Sequence, residues 1–432
     1  MPSEEEVGTD KTLEVWLHDE LVGHLYQLHS GDISYQYVLK ASRALSLSLP
    51  VQYEAYSQGQ CFAYFDGLLP ESEFQREAIA KKFSINKKNS FRLLQAIGAD
   101  CAGAVSFHQP RSKTSSYRKD ELKEVSEKEL EGLIHELPQN PLFISKKNQL
   151  RLSLAGAQPK AAVIYRDGKI FLPLTETPTT HILKPAVEGL DQTTSNEFFS
   201  LIVAKSLGLV VPAVELKTAG RTQYLLIERY DRISKDGKIK RIHQEDFCQA
   251  LNITSSDKYE SDGGPSISDC MNLLLETSSP VNSRNQFMRM LVFNYLFGNM
   301  DAHGKNYSLL HKDDGIIEIA PMYDSACTLI YAELERKMAM KIGGKYDPLQ
   351  IFCRHWKRTC ELSGYSYPGL LRVLAKYCIS IPANAEKYIE NLKSKGIEVV
   401  FLNSVYEVVK DICHLTLDRL SAEDRLKAER RN

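Results

Sequence analysis

The chain has no Cys-x-x-Cys pair, no Walker A phosphate loop and no stretch approaching about 18 consecutive apolar residues. The last absence removes a transmembrane helix. The opening residues, MPSEEEVGTD, are acidic and carry no apolar core, which does not suit a signal peptide. Neither sign of charge is in excess. A formal net charge of -1 argues against wholesale attraction to nucleic acid or anionic membrane and leaves local basic patches open. The 9 cysteines are scattered and odd in number, so a disulfide framework is not expected and a reducing cytoplasm suits them. Cys353, His355 and Cys360 form the nearest metal-like cluster, yet their spacing fits no common zinc pattern, and buried thiols are expected there. Internal repeats and long low-complexity segments are also missing.

What is present is ordinary globular composition, 43% hydrophobic and 25% charged, over 432 residues. That length calls for two or three domains in a soluble, cytoplasmic protein. Residues 12–28 read as a hairpin: TLEVWL alternates, His18-Asp19-Glu20 turns and LVGHLYQL returns. Helices are expected near 60–68 and 72–82. The polar stretch 108–122 reads as a linker. LRLSL (150–154), AAVIY (161–165), IFLPL (170–174), THILK (180–184) and segments near 214–219 and 223–228 read as a mostly antiparallel sheet. A helix is expected over 196–207, with Ser195 as N-cap and Gly208 as its stop. From about 245 onward the pattern turns helical. QFMRMLVFNYLF (286–297) is apolar almost all round, which marks a buried helix.

That helix feeds directly into GNMDAHGKN. Asp301 and Asn306 are five apart, and Asn306 precedes a strand, a turn at 312–315 and a second strand ending at Asp324. A hairpin brings its open ends together, so Asn306 and Asp324 are expected to meet, with Asp301 close by. Converging oxygen ligands suit Mg²⁺ bound with nucleotide phosphates, and a further carboxylate can accept a hydroxyl proton. This is the division of labour of protein kinases. The same residue types are also common in ordinary turns.

Lys184 ends an apolar strand and could hold phosphates, with Glu197 as a candidate ion-pair partner. The loop Ala155-Gly156-Ala157-Gln158-Pro159-Lys160 has small residues that would let backbone N–H groups approach phosphates, and Ser153 lies just before it. In LLIERYDR (225–232), backbone near Glu228 could meet an adenine edge and Tyr230 its face. KYESDGGP (258–265) reads as a polar, glycine-rich loop, either plain surface or lining the site.

Taken together, SLSLPV, FDGLLPES, LSLAGAQPK, PTTHILK, NEFF, IERYDR, QEDFCQ, KYESDGGP, DAHGKN and MYD, in this order, resemble the HipA family of bacterial serine/threonine kinases, the toxin half of toxin–antitoxin pairs. The resemblance runs over roughly residues 15–330. It implies an α+β, two-lobed, protein-kinase-like fold. Residues 1–112 would form an extra N-terminal α/β subdomain and 113–247 the sheet-rich ATP-binding part. Residues 248–432 would form an all-helical lobe carrying the catalytic loop. It also implies roles. Asp301 would be the catalytic base; Asn306 and Asp324 would bind Mg²⁺; Lys184 would contact ATP phosphates. Glu228 and Tyr230 would sit at adenine, and Ala155, Gly156, Ala157, Gln158 and Lys160 on the phosphate side. His303 and Lys305 fall in the catalytic loop, and His303 is included among the ATP-site residues. Ser153 matches the family's autophosphorylated serine, whose modification expels the loop and switches the kinase off. The implied partners are a small helix-turn-helix antitoxin, DNA through that antitoxin, and an aminoacyl-tRNA synthetase as protein substrate. Departures are Ala302 and Gly304, expected in the opposite order, and Pro159 where an acidic residue is more usual. A small-molecule kinase of aminoglycoside type and a catalytically silent antitoxin-bridging module are the rival readings.

Overall fold

The computed structural model describes residues 11–110, 121–143, 153–174, 177–235, 238–395 and 397–429. The chain divides into two compact, discontinuous units. Unit 1 combines Met1–Val187, Glu215–Ser256 and Leu309–Ile316; unit 2 combines Glu188–Val214, Asp257–Ser308 and Ile317–Asn432. The fold is α+β and kinase-like.

Unit 1 holds two main sheets. β1 (Thr12–Leu17), β2 (Glu20–Gln27) and β3 (Ile33–Tyr37) form an antiparallel meander, and β4 (Val105–His108) pairs with the free edge of β1. Alternation in TLEVWL turns Leu13, Val15 and Leu17 inward, as the sequence predicts. The helices Gln58–Asp66 and Glu73–Phe83 stand within two residues of their expected places. Phe65, Phe91 and Phe107 join this sheet's residues in one core.

Two sequence motifs prove to be scaffold. In FDGLLPES, Asp66 accepts both terminal guanidinium nitrogens of Arg76 at 2.9 and 3.0 Å, and the Ser90 hydroxyl at 2.6 Å. In QEDFCQ, the fully buried Glu245 accepts from Leu47 N at 3.1 Å, from the Ser46 hydroxyl and from His311 Nε2 at 2.7 Å. That carboxylate pins the SLSLPV turn.

The second sheet comprises β5 (Leu122–Val125), β6 (Ala161–Arg166), β7 (Lys169–Pro173), β8 (His181–Pro185), β9 (Val214–Ala219) and β10 (Thr222–Glu228), in the order β5-β7-β6-β8-β10-β9. Asp167 and Gly168 both take positive φ, 53° and 77°, which matches a two-residue hairpin turn between β6 and β7. Of the expected strand 150–154, residues 150–152 lie outside the described residues, and Ser153 and Leu154 are not in a strand. A further hairpin, β11 (Arg232–Lys235) and β12 (Lys238–Arg241), follows. At its base Asp100 meets Arg232 at 2.8 Å, Arg241 at 3.1 Å and Arg229 at 3.5 Å, while Asp231 binds Arg229 at 2.8 Å and Arg232 at 2.9 Å. Asp100, Arg229, Asp231 and Arg232 are all buried, and paired charges are what make such burial tolerable.

Among the described residues, the regular structure of unit 2 is helical apart from the short strand Ile317–Ile319 and single end residues of β9 and of the strand Ser308–His311. The helix expected over 196–207 spans Thr193–Ser206 instead. Ser195 lies inside it, and the N-cap is Gln192 in a left-handed conformation, which no capping preference signals. Gly208, at φ 75°, does end it, donating to Lys205 O at 2.9 Å. The apolar helix extends over Pro280–Phe297, with Pro280 in its first turn and Gly298 as a left-handed C-cap. Helices Tyr367–Ser394 and Val400–Glu429 pack against each other. All nine cysteines are buried. No helix among the described residues is long and apolar enough to cross a membrane.

Candidate active site

Unit 2 builds one constellation. Gly298 stops the buried helix, and the chain turns at once into the loop Asp301–Asn306. Asn299 shapes the turn: its Nδ2 donates to Asn294 Oδ1 at 3.0 Å and its Oδ1 accepts from Asp301 N at 3.1 Å. His303 N donates to Asp301 O at 2.8 Å and Asn306 N to His303 O at 2.9 Å, so the loop closes on itself. His303, Lys305 and Asn306 are buried while Asp301 is exposed. The loop therefore presents one carboxylate outward on a fixed frame.

Asn306 ties this loop to Asp324, as the hairpin argument expects. Its Nδ2 donates to Asp301 O at 3.1 Å and to Asp324 O at 3.4 Å. Ala320 N donates to Ser308 O at 2.8 Å, and Lys312 N to Ile316 O at 2.8 Å across the turn. Asp324 adopts φ 56°, a conformation that costs most residues but is tolerated by Asp and Asn. The segment behind it is anchored. Asn196 Oδ1 accepts from Cys327 N at 2.8 Å, Ser200 and Ser325 share a hydrogen bond at 2.9 Å, and Ser325 donates to Asn294 at 3.0 Å. The NEFF motif thus positions the chain after Asp324.

With the nitrogen end of the Asn306 amide engaged by two carbonyls, its oxygen end remains for a hard cation, and Asp324 adds a carboxylate. Among the described residues no group of three or more His, Cys, Asp or Glu side chains could hold a metal. A cation at Asn306 and Asp324 would thus complete its shell with water and substrate phosphate oxygens, which is how Mg²⁺ is commonly held.

Sequence reasoning missed Tyr259. Its hydroxyl donates to Asp301 Oδ1 at 2.6 Å, and its ring stands edge-on to His303 with centroids 5.1 Å apart. Gly304 N donates to Lys258 O at 3.4 Å. KYESDGGP therefore braces the loop that carries Asp301, and it is not plain surface. Tyr323 is a second omission: its hydroxyl donates to Lys305 O at 2.7 Å.

Unit 1 holds the remaining candidates. Lys184 is buried on β8, paired in register with Leu225 of β10. Gln158 Nε2 donates to Pro185 O at 3.1 Å, so the loop 155–160 sits beside the end of that strand. Lys160 Nζ donates back to Ala155 O at 2.8 Å, and Gly156 takes φ 106°, which a side chain would strain. After β10 the chain turns, with Arg232 N donating to Arg229 O at 3.1 Å. Arg229, Asp231 and Arg232 enter the buried charge network, while Glu228 is exposed and Tyr230 half-buried. Glu197, expected opposite Lys184, belongs to unit 2.

Ser153 is held by the N-terminal part of unit 1. Its side chain is fully buried, its hydroxyl donates to Leu68 O at 2.7 Å and its N–H to Asp100 O at 2.9 Å. Gly156 O accepts from Glu71 N at 3.2 Å, and Ala157 O from Gln75 Nε2 at 3.1 Å. Leu154 joins the core around Phe65 and Phe91.

Comparison with known proteins follows the same order along the chain. Residues 13–108 match the family model of the HipA N-terminal domain, and residues 152–394 that of the HipA-like C-terminal domain. Protein Y4mE of Sinorhizobium fredii is 35% identical over 91% of this chain and 96% of its own length. The serine/threonine-protein kinase toxin HipA of Shewanella oneidensis is 30% identical over 84% of this chain and 85% of its own length. Among solved structures, one from the Shewanella oneidensis toxin–antitoxin complex of HipA, HipB and operator DNA superposes with a TM-score of 0.81. It covers 95% of this chain and 98% of its own, at 26% identity.

Proposed function

This chain belongs to the HipA family, and on that premise we propose that it is a serine/threonine-protein kinase acting as the toxin of a toxin–antitoxin pair. The observation that carries the reading is the Asn306 amide, which joins the backbone of Asp301 to that of Asp324 and leaves an oxygen for a cation. That arrangement suits phosphoryl transfer, whose loose transition state needs positioning and charge neutralisation more than covalent help.

In the proposed reaction the substrate hydroxyl loses its proton to Asp301 as its oxygen bonds to the γ-phosphorus of ATP, and the bond from that phosphorus to the β-phosphate bridging oxygen breaks, leaving ADP. Mg²⁺ held by Asn306 and Asp324 would supply neutralisation of phosphate charge. Lys184 is assigned to the phosphates, with the loop Ala155–Lys160. Glu228 backbone and Tyr230 are assigned to adenine. His303, whose ring stands edge-on to Tyr259, is assigned to the ATP site, and Lys305 lies buried in the same loop.

Ser153 is the proposed site of self-inactivation. Its docked hydroxyl is inaccessible, so modification requires the loop to leave Leu68 and Asp100, and a phosphate there would prevent return. The proposed partner is a small helix-turn-helix antitoxin, through which DNA is reached, by analogy with the HipA–HipB–operator complex. The proposed substrate is a translation protein of the aminoacyl-tRNA synthetase class, in the cytoplasm.

Intact-mass spectrometry with MgATP, beside an Asp301→Gln control, tests the reading. One added phosphate on Ser153 that is absent in the control is the expected result. No added phosphate on a protein shown to start unphosphorylated would overturn it, in favour of a small-molecule kinase or a silent bridging module.

A further inference from the structure

Unit 1 contains a cavity of about 630 Å³ that none of the assigned site residues lines. Its wall is made by the β1–β2 turn, Arg43, β4, β12 and the turn at Asp313. This volume lies within the range of small-molecule sites, roughly 300–1,000 Å³. Its charges are arranged rather than scattered. Arg43 Nη1 lies 3.5 Å from Asp313 Oδ1, His18 Nε2 lies 3.7 Å from the same oxygen, and Lys240 pairs with Oδ2. Two cations and an imidazole thus converge on one carboxylate, which formally neutralises only one of the cations. Arg241, on the same wall, is spoken for by Asp100.

His18 reports the local field. Burial pushes its pKa down to about 4, with Arg43 and Lys240 pushing the same way and Asp19 opposing them. At neutral pH the ring is therefore an uncharged hydrogen-bonding group beside two fixed cations. Asp19 and Glu20 also line the cavity, and Glu20 already accepts from the Ser42 hydroxyl at 3.3 Å. The cavity has a cationic cradle and separate carboxylates that can accept from hydroxyl or amino groups.

We propose that this cavity is a binding site for a small phosphomonoester, with Arg43, Lys240 and His18 receiving the phosphate and Asp313 as its tethered competitor. A dianionic phosphate satisfies both cations where a single carboxylate does not. Asp313 sits in the turn Lys312–Gly315, closed by Lys312 N to Ile316 O and Gly315 N to Lys312 O. A carboxylate on such a short tether competes at an effective concentration in the millimolar range, which weakens binding of a free anion. The ligand's hydroxyl or amino groups face Asp19 and Glu20, which separates a phosphomonoester from inorganic phosphate.

The test uses the full chain, glycerol 3-phosphate and inorganic phosphate, with affinity read by calorimetry. Asp313→Asn, which removes the competing charge and keeps the turn, is expected to bind glycerol 3-phosphate about tenfold more tightly than the wild type. It is also expected to prefer that ligand to inorganic phosphate. Adding Arg43→Gln and Lys240→Gln to Asp313→Asn is expected to abolish the gain, with an unchanged melting temperature confirming that the variant is folded. No gain in Asp313→Asn, or a gain that survives loss of both cations, overturns the proposal. Phosphate bound elsewhere would be insensitive to all three substitutions.

Discussion

The Ser153 hydroxyl donates to the Leu68 carbonyl at 2.7 Å from a fully buried position. A carbonyl can accept a hydroxyl but repels a negative charge, and burying an unpaired carboxylate costs several kcal/mol. Among the described residues, four hydrogen bonds hold this loop to its docking segments: Ser153 N to Asp100, Ser153 Oγ to Leu68, Glu71 N to Gly156 and Gln75 Nε2 to Ala157. At about 1 kcal/mol net each, their sum is comparable to that cost, so a charge at this position weakens docking. Ser153→Glu should therefore undock the loop while Ser153→Ala leaves it in place. Limited tryptic cleavage after Lys160 should be at least about tenfold faster in Ser153→Glu, a factor worth roughly 1.4 kcal/mol of docking. Equal rates would mean that docking is indifferent to charge at this position.

Tyr259 should matter to turnover without touching nucleotide affinity. Its hydroxyl fixes one oxygen of Asp301, and its ring packs on His303. Tyr259→Phe keeps the ring and deletes the hydrogen bond. A bond to a charged group is worth roughly 1.5–3 kcal/mol, so kcat should fall at least about tenfold with KM for ATP unchanged. A matching rise in KM would instead place Tyr259 in substrate binding.

Local patterns in the chain reveal the β1–β2 and β6–β7 hairpins, the strands β8 to β10 and the DAHGKN loop, because alternation, Asp-Gly pairs and an all-apolar helix act over a few residues. What stayed hidden depends on distant partners. Tyr259 lies 42 positions from Asp301, and no periodicity links a hydroxyl to a carboxylate across that gap. In LLIERYDR the sequence points to Glu228 and Tyr230, yet Arg229 and Arg232 are buried because Asp100, in another segment, pairs with both, and Asp231 is buried between the same two arginines. The start of the helix at Thr193 is not legible in the sequence because a left-handed Gln192 precedes it, while the better capping residue, Ser195, lies in its first turn.

His243 makes unit 1 sensitive to acid. Burial drives its pKa down to about 3, with His311 next in effect. Nε2 donates to Leu45 O at 2.7 Å and Nδ1 accepts from Ala104 N at 3.5 Å, so a second proton would face an N–H group. In the unfolded chain the ring titrates near 6.5. The unfolded state therefore takes up the proton first, and stability present above pH 6.5 is lost as pH falls from there toward 3. From pH 7.5 to 5.5 this one group should remove about 1.4 kcal/mol. Urea unfolding of wild type and His243→Gln at both pH values should show the variant losing less by that amount. Parallel losses would assign the acid sensitivity to other groups.

Asp324 allows the metal assignment to be separated from loop architecture. Its φ of 56° is tolerated by Asn as well as Asp, so Asp324→Asn removes a charge and keeps the backbone. Asn306→Asp does the reverse. It keeps a metal-binding oxygen but replaces an amide donor with a carboxylate facing the carbonyls of Asp301 and Asp324. Asp324→Asn should melt within about 2 °C of the wild type, because the half-buried side chain keeps its shape and backbone conformation. Its kcat should fall about a hundredfold at saturating ATP and limiting Mg²⁺, roughly 2.7 kcal/mol, and recover in part as Mg²⁺ or Mn²⁺ is raised. Asn306→Asp should lose activity that no metal concentration restores, because its defect is the position of Asp301. If Asp324→Asn instead keeps the wild-type dependence on Mg²⁺, the carboxylate does not touch the metal. The left-handed turn at Asp324 would then be a purely structural device.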